Sequence, residues 1–275
     1  MTQTTRTFLR FREQDESVHY GELTGPDEVR IMDGPPVGKF KVLRERRTLE
    51  EIKLLAPVDP VDIVAIGLNY RQHAEESGAE FPKEPVIFLK ATSSVLAPDE
   101  AIVLPHLTPK EVDYEAELAV IIGRTAKNVD EGEALKYVLG YTCGNDVSAR
   151  DAQIKLDKQW ARGKSCDTFC PLGPCIVVGL DPDHLRIQSR VNGQVMQDSN
   201  TSDMIFNVAK LVSYVSHNKT LRPGEVILTG TPGGVGFARK PPVFLREGDV
   251  VEVEVEGIGV LRNPVVGEKM GTATG

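Results

Sequence analysis

The sequence predicts an α+β fold built on curled mixed sheets, preceded by a small β-rich domain. Three observations lead there. Short β-like runs dominate the chain, with helical patterns inserted between them rather than alternating regularly. The run Ala119-Val120-Ile121-Ile122 is continuously apolar and β-branched, as in a strand buried on both faces, and it ends at Gly123. The dipeptide Asn192-Gly193 lies between two strand patterns and signals a type I′ hairpin.

Residues 1–57 read as the small domain. The strands Thr7–Phe11, His19–Leu23 and Val29–Met32 are separated by the turns Gly25-Pro26-Asp27 and Asp33-Gly34-Pro35-Pro36. Thr48 to Leu55 is expected to form a short helix, and Pro57 and Pro60 mark a boundary. Residues 58–275 form the main body, opening with the strand Ile63–Ile66. A polar helical segment follows from Asn69 to Gly78, and then the strand Pro85–Lys90. Further helices are expected over Asn128–Val138 and Ser148–Lys155, on either side of a strand from Leu139 to Cys143. Leu185–Val191 and Gln194–Gln197 form the hairpin. Val208, Leu211, Val212 and Val215 recur at helical spacing, so Phe206–His217 is an amphipathic helix. Val226–Leu228 is a strand, and Val251–Val255 with Gly257–Leu261 closes the chain as a second hairpin.

At 275 residues the chain suits one large domain with a small appendage. A net charge of −8 argues against nucleic acid or an anionic membrane as partner, since either calls for a basic face. No apolar stretch approaches the roughly 20 residues of a membrane span, no signal-peptide core precedes Thr7, and the cytoplasm is the expected location. The four cysteines, Cys143, Cys166, Cys170 and Cys175, form no Cys-x-x-Cys pair, so a zinc site is not expected. Cys166 lies two residues from Lys164 and could be nucleophilic, but packing is the commoner role of a free cysteine.

The chemistry concentrates in Tyr114-Glu115-Ala116-Glu117-Leu118. Side chains alternate along a strand, so Glu115 and Glu117 face the same side, about 6.6 Å apart. On a wet strand face such a pair is ordinary. Beside an apolar run it is costly unless a positive group lies between, and a hard divalent cation with oxygen ligands is the simplest candidate. Asp146 supplies a third carboxylate where a strand gives way to a new element.

Other residues gather by spacing. His73 and Glu76 are three apart and can pair on a helix as a general base, although an exposed pair would look the same. Arg150 and Gln153 share the helical face of Asp146. Lys90 and Lys164 could neutralise an enolate or carboxylate, against a default of surface lysine. The run Gly230–Gly236 lacks the Gly-Lys-Ser/Thr ending of a P-loop. It is either a plain turn or a loop presenting backbone N–H groups and the Thr231 hydroxyl to a small anion.

Taken in order, these motifs resemble the fumarylacetoacetate hydrolase family. The likeness runs from Gly67-Leu68-Asn69-Tyr70 through Phe88-Leu89-Lys90, Asp113–Leu118, Asn145–Asp151, Gln159-Trp160, Gly163-Lys164-Ser165 and Met204-Ile205-Phe206 to Thr229–Pro232. It implies a mixed β-sandwich roll behind a small N-terminal domain, and a homodimer. It also implies Mg²⁺ or Mn²⁺ held by Glu115, Glu117 and Asp146, a His73–Glu76 dyad on a lid that orders over substrate, and Lys164 stabilising an enolate. Gln153, Lys90 and Thr231 match substrate-contacting positions, and Asn69, Tyr70 and Arg150 are expected beside them. Some members carry Arg where this chain has Leu68, and an aromatic where it has Cys166. The implied substrate is a small oxo acid. Cleavage of a C–C bond in an acylpyruvate or related 2,4-dioxo acid is the leading expectation. Decarboxylation of oxaloacetate and isomerisation of an oxo-dicarboxylate are alternatives on the same site.

Overall fold

The computed structural model describes residues 5–108, 110–157 and 159–269; Met1 to Thr4 and the C-terminal end of the expected 58–275 span lie outside them. The chain forms β1 (Arg6–Arg12), β2 (Val18–Leu23), β3 (Glu28–Met32), β4 (Val42–Thr48), β5 (Lys53–Leu54), β6 (Ile63–Gly67) and α1 (Arg71–Glu76). Then come β7 (Val86–Lys90), β8 (Val95–Leu96), β9 (Ile102–Leu104), β10 (Val112–Asp113), β11 (Ala116–Ile122), β12 (Val138–Asn145), β13 (Ser148–Ala149) and α2 (Ala161–Lys164). The last third holds β14 (Cys170–Val178), β15 (Arg186–Val191), β16 (Gln194–Asn200), α3 (Val208–Asn218), β17 (Val226–Leu228), β18 (Val250–Val255) and β19 (Gly259–Gly267). This is the α+β architecture expected.

One long sheet runs in the order β4-β3-β2-β1-β14-β12-β11-β17-β6-β7, and a second runs β16-β15-β18-β19-β9. The N-terminal strands extend the long sheet, because β1 pairs with β14 from Arg6↔Val178 to Phe8↔Ile176. Near the centre lies β11, between β12 and β17. Its alternate residues enter two cores. Leu118, Val120 and Ile122 join Ile187 and Val253 of the second sheet and Val212 of α3, while Ala119 and Ile121 join Ile63, Val226 and Leu228. Burial on both faces explains the unbroken apolar run, each Val, Leu or Ile contributing about 1.5–3 kcal/mol. At the expected hairpin, Asn192 (φ 52) and Gly193 (φ 76) take the left-handed conformations that a type I′ turn requires.

The structure corrects several element expectations. Thr48–Leu55 is not one helix. Leu49–Glu51 makes a single 3₁₀ turn, its start held by Glu51 on the Thr48 N–H, and Leu54 is drawn into pairing with Phe11. Ser148–Lys155 is also not a helix. Ser148 and Ala149 pair with Asp113 and Val112, and a wide π-type turn, Asp151–Leu156, follows. Asn128–Val138 narrows to a 3₁₀ segment, Glu131–Tyr137. Two longer strands, β4 and β14, escape the sequence reading, as do the short β8, β9 and β10. Among the described residues no helix is long and apolar enough to cross a membrane.

Candidate active site

The central strands deliver the acids. Glu115 immediately precedes β11, Glu117 lies within it, and Asp146 follows β12. Pairing of Ala116 with Asn145 sets the ends of both strands level, and Asp146 N–H donates to the Glu115 carbonyl at 2.9 Å. One carboxylate oxygen from each of Glu115, Glu117 and Asp146 lies within 4.8 Å of the others, and all three residues are buried. Among the described residues no other group of three such ligands comes together.

Cations surround two of the acids and leave the third exposed to their field. Lys164 Nζ donates to Glu115 Oε2 and Asp146 Oδ2, both at 2.7 Å. Lys90 Nζ donates to Asp146 Oδ1 at 2.5 Å, and Arg150 donates to Glu115 Oε1 at 2.6 Å. Glu117 accepts the Gly230 N–H at 2.7 Å. Burial, and then the nearby Asp146 and Glu115, push the Glu117 carboxyl well above the ordinary range. Burial also opposes ionisation of Glu115, but Lys164 and Arg150 outweigh it and hold that carboxyl down to about 2. Lys164 follows the same logic with the sign reversed. Burial favours the neutral amine, and Asp146 and Glu115 overcome it and raise its pKa. An all-oxygen donor set with one under-compensated carboxylate fits a hard divalent cation.

A second ring of contacts fixes these groups. Asp113 is fully buried and accepts Arg150 Nε at 2.9 Å, Gly236 N–H at 2.7 Å and Phe237 N–H at 3.1 Å. Arg150 also donates to Gln153 Oε1 at 2.9 Å, and its guanidinium lies 4.4 Å from the Phe237 ring centre. Glycine is required at 236, where a Cβ would meet the Val243 carbonyl at 1.9 Å and Asp113 at 2.5 Å. Thr231 donates its hydroxyl to the Ala116 carbonyl at 2.9 Å and accepts from Gln197 Nε2 at 2.7 Å.

The dyad arrives from α1. His73 Nδ1 lies 2.7 Å from Glu76 Oε1, and Glu76 Oε2 accepts the Gly234 N–H at 2.7 Å. A carboxylate partner assigns the proton to Nδ1 and leaves the lone pair on Nε2. The glycine-rich loop therefore binds acids of the protein itself, Glu117 through Gly230 and Glu76 through Gly234. The segment is also better anchored than its polarity suggests. Asn69, Tyr70 and Ala74 have no exposed surface, and continuous exposure begins only at Glu75.

A cavity of about 220 Å³ joins the two halves. His73, Glu115, Arg150, Gln153, Lys164 and Thr231 line it, with Leu68, Phe88, Trp160 and Phe237 as apolar wall. Asn69, Tyr70 and Lys90 do not. Asn69 gives its side chain to Phe206 and Thr229, Tyr70 is enclosed in the core, and the Lys90 ammonium is buried against Asp146. Cys166 faces a different, larger cavity of about 830 Å³, which lacks the carboxylate cluster. Burial pushes the Cys166 thiol up, which disfavours the nucleophilic thiolate. Sequence reasoning gave no role to Asp113 or Gln197. Asp113 was legible as a third acid in Asp113-Tyr114-Glu115-Ala116-Glu117; nothing local marks Gln197.

Residues 62–266 match the fumarylacetoacetate (FAA) hydrolase C-terminal family, and residues 6–57 match the Rv2993c-like N-terminal family. The human protein named oxaloacetate tautomerase FAHD2A, mitochondrial, is 49% identical over 221 residues, spanning 78% of this chain and 70% of that one. The solved structure of 2-hydroxyhepta-2,4-diene-1,7-dioate isomerase from Mycobacterium marinum is 40% identical with a TM-score of 0.86, covering 97% of this chain and 100% of the other. That of 5-carboxymethyl-2-hydroxymuconate delta-isomerase from Mycobacterium smegmatis is 42% identical, also at 0.86, covering 95% and 100%. The chain belongs to the fumarylacetoacetate hydrolase family, a family of enzymes.

Proposed function

We propose that the protein is a divalent-metal-dependent tautomerase or isomerase of a small oxo-dicarboxylic acid, with oxaloacetate as the first candidate. The observation that carries this reading is the placement of His73, held by Glu76, in one 220 Å³ cavity with Glu115, Lys164 and Arg150. The buried cluster sets four carboxylates, Asp113, Glu115, Glu117 and Asp146, against three cations, Lys90, Arg150 and Lys164. A divalent ion turns that balance positive, which suits a dianionic substrate. The names of the tautomerase and isomerase relatives support the same class.

When bound, Mg²⁺ or Mn²⁺ held by Glu115, Glu117 and Asp146 supplies Lewis-acid polarisation of the substrate's 2-oxo group. The side chains do the rest. His73 takes the C3 proton on Nε2, with Glu76 holding the ring and balancing its charge. The electron pair moves into the C2–C3 bond, and Lys164 offsets the charge gathered on the 2-oxygen. Returning the proton to that oxygen gives the enol, and the reverse sequence restores the keto acid. Trp160, Phe88 and Phe237 limit access of bulk water.

A second reading rests on the same dyad. A His–Glu pair can also activate water, which would make the enzyme a C–C hydrolase of acylpyruvates. One panel separates the two. With Mg²⁺ or Mn²⁺, enol-to-keto conversion of oxaloacetate and deuterium exchange at its C3 are expected to be fast, and acylpyruvate cleavage slow. Dominant acylpyruvate cleavage selects the hydrolase, and inertness toward every oxo acid tested ends both readings. The expected homodimer belongs to this proposal and is checked by light scattering.

A further inference from the structure

The helix that carries the dyad does not cap itself. α1 is a single short stretch, Arg71–Glu76, and Tyr70 at its N-cap supplies no side-chain acceptor. The first N–H groups of a helix have no partner within it. The Gln72 N–H finds one across the fold, in Asp203 Oδ2 at 3.0 Å. The Arg71 guanidinium answers in the other direction, donating to the carbonyls of Asp203 at 3.0 Å and Met204 at 2.8 Å. Just before the helix, Asn69 accepts the Ile205 N–H on its main-chain carbonyl at 2.8 Å. Its side chain is bonded to Phe206 at 3.0 and 2.9 Å.

Asp203 itself sits on a firm base. It ends a 3₁₀ turn, Thr201–Asp203, whose start is capped by Asn200 on the Ser202 N–H. It does not line the substrate cavity. The far end of α1 bonds across the fold through the Glu76–Gly234 contact, and residues 77–81 beyond it are exposed. His73 thus stands two residues from the start of the helix, and that start is held by residues 203–206, more than 125 residues away in sequence, with the Asp203 carboxylate taking the Gln72 N–H.

We infer that Asp203 is a positioning residue for the reaction: through the Gln72 N–H it holds the first turn of α1, and so sets where His73 stands in the cavity. The inference rests on the proton-transfer role given to His73 above. An asparagine at 203 keeps an oxygen that can accept the same hydrogen bond, whereas an alanine does not.

The test compares Asp203→Asn with Asp203→Ala in the full-length, Mn²⁺-loaded protein. Amide exchange over residues 72–76 should quicken about five- to tenfold in Asp203→Ala and little in Asp203→Asn. For enol–keto conversion of oxaloacetate, kcat should fall about tenfold in Asp203→Ala and recover largely in Asp203→Asn. KM and Mn²⁺ affinity should not move in either. Unchanged exchange in Asp203→Ala overturns the inference. So does faster exchange with full kcat, or an equal kcat loss in both variants. If Asp203→Ala does not fold, Asp203→Ser keeps a polar group there while shortening the acceptor, and carries the same comparison. A parent enzyme inert toward oxaloacetate sinks the functional reading instead, and the exchange comparison still decides whether Asp203 holds α1.

Discussion

The two poles of the cavity are built in opposite ways. The acidic pole grows from the ends of β11 and β12, buried strands near the middle of the long sheet. Its side chains hold one another, through Lys164 between Glu115 and Asp146 and Arg150 between Glu115 and Asp113. The basic pole is one short helix at the surface, kept in place by Asp203 and Gly234 from other loops. Charge density demands rigidity at the first pole, because a displaced buried ion would lose its partner in a medium that cannot resolvate it. A proton carrier needs accuracy only while substrate is bound, and a helix held by a few hydrogen bonds provides that with less buried structure.

The comparison is broken most severely at the acidic pole. Asp146→Ala removes a candidate metal ligand and the shared partner of Lys90 and Lys164. Turnover should drop by about 10³-fold or more, together with Mg²⁺ or Mn²⁺ affinity by calorimetry. Wild-type metal affinity in this variant would remove the carboxylate trio from the metal site.

At the basic pole the two effects should separate. His73→Ala is expected to lower turnover by about 10²–10⁴-fold while leaving metal affinity and thermal unfolding close to the parent. A matching loss of metal affinity would mean that the two poles are one unit.

The smallest effect is one of pH, in chelator-treated protein. The Glu117 carboxyl is raised by burial and by its acidic neighbours. Above the unfolded-state value of about 4.3, the native state therefore holds a proton that the unfolded chain has lost. Stability should fall as pH rises from there through the raised native value, by up to about 1.4 kcal/mol per pH unit. Glu115 gives the opposite slope in a separate window: its contribution is present above about 4.3 and is lost as pH falls toward its native value of about 2. Burial also raises the Asp113 carboxyl, which adds a slope of the same sign. Urea unfolding of Glu117→Gln should therefore show the upper slope reduced and the lower one retained. An undiminished upper slope would place its origin elsewhere.

Much of the acidic pole was legible in the sequence because its causes are local. An unbroken apolar run means burial on both faces, and two glutamates at strand spacing at its entrance need a counter-charge. The strand β14 was hidden for an equally physical reason. Pro171, Gly173 and Pro174 lie inside it, where proline removes ladder donors and argues against a central strand. The fold accommodates them where β12 and β14 shift register between Tyr141 and Cys143, and where parallel β8 joins at Cys170 and Pro171. Arg44, Glu45, Arg46 and Arg47 disguised β4, which forms the end of the long sheet and can carry charge. At the basic pole, His73 and Glu76 could be picked out as a pair. Asp203 and Gly234 could not, since a hydrogen bond across more than 125 residues leaves no local pattern.

The alternation of β11 between two cores also bears on how this enzyme could change over generations. Sliding that strand by one residue would exchange Leu118, Val120 and Ile122 with Ala119 and Ile121 across the sheet, and would turn Glu117 away from Asp146. Such a step is closed to gradual drift. Leu68, Ile154 and Phe237 lie outside the strands and border the cavity without belonging to the ionic cluster. Selection for a new oxo acid should therefore write its substitutions there, and leave a frozen strand as the shared ancestry of enzymes with different substrates.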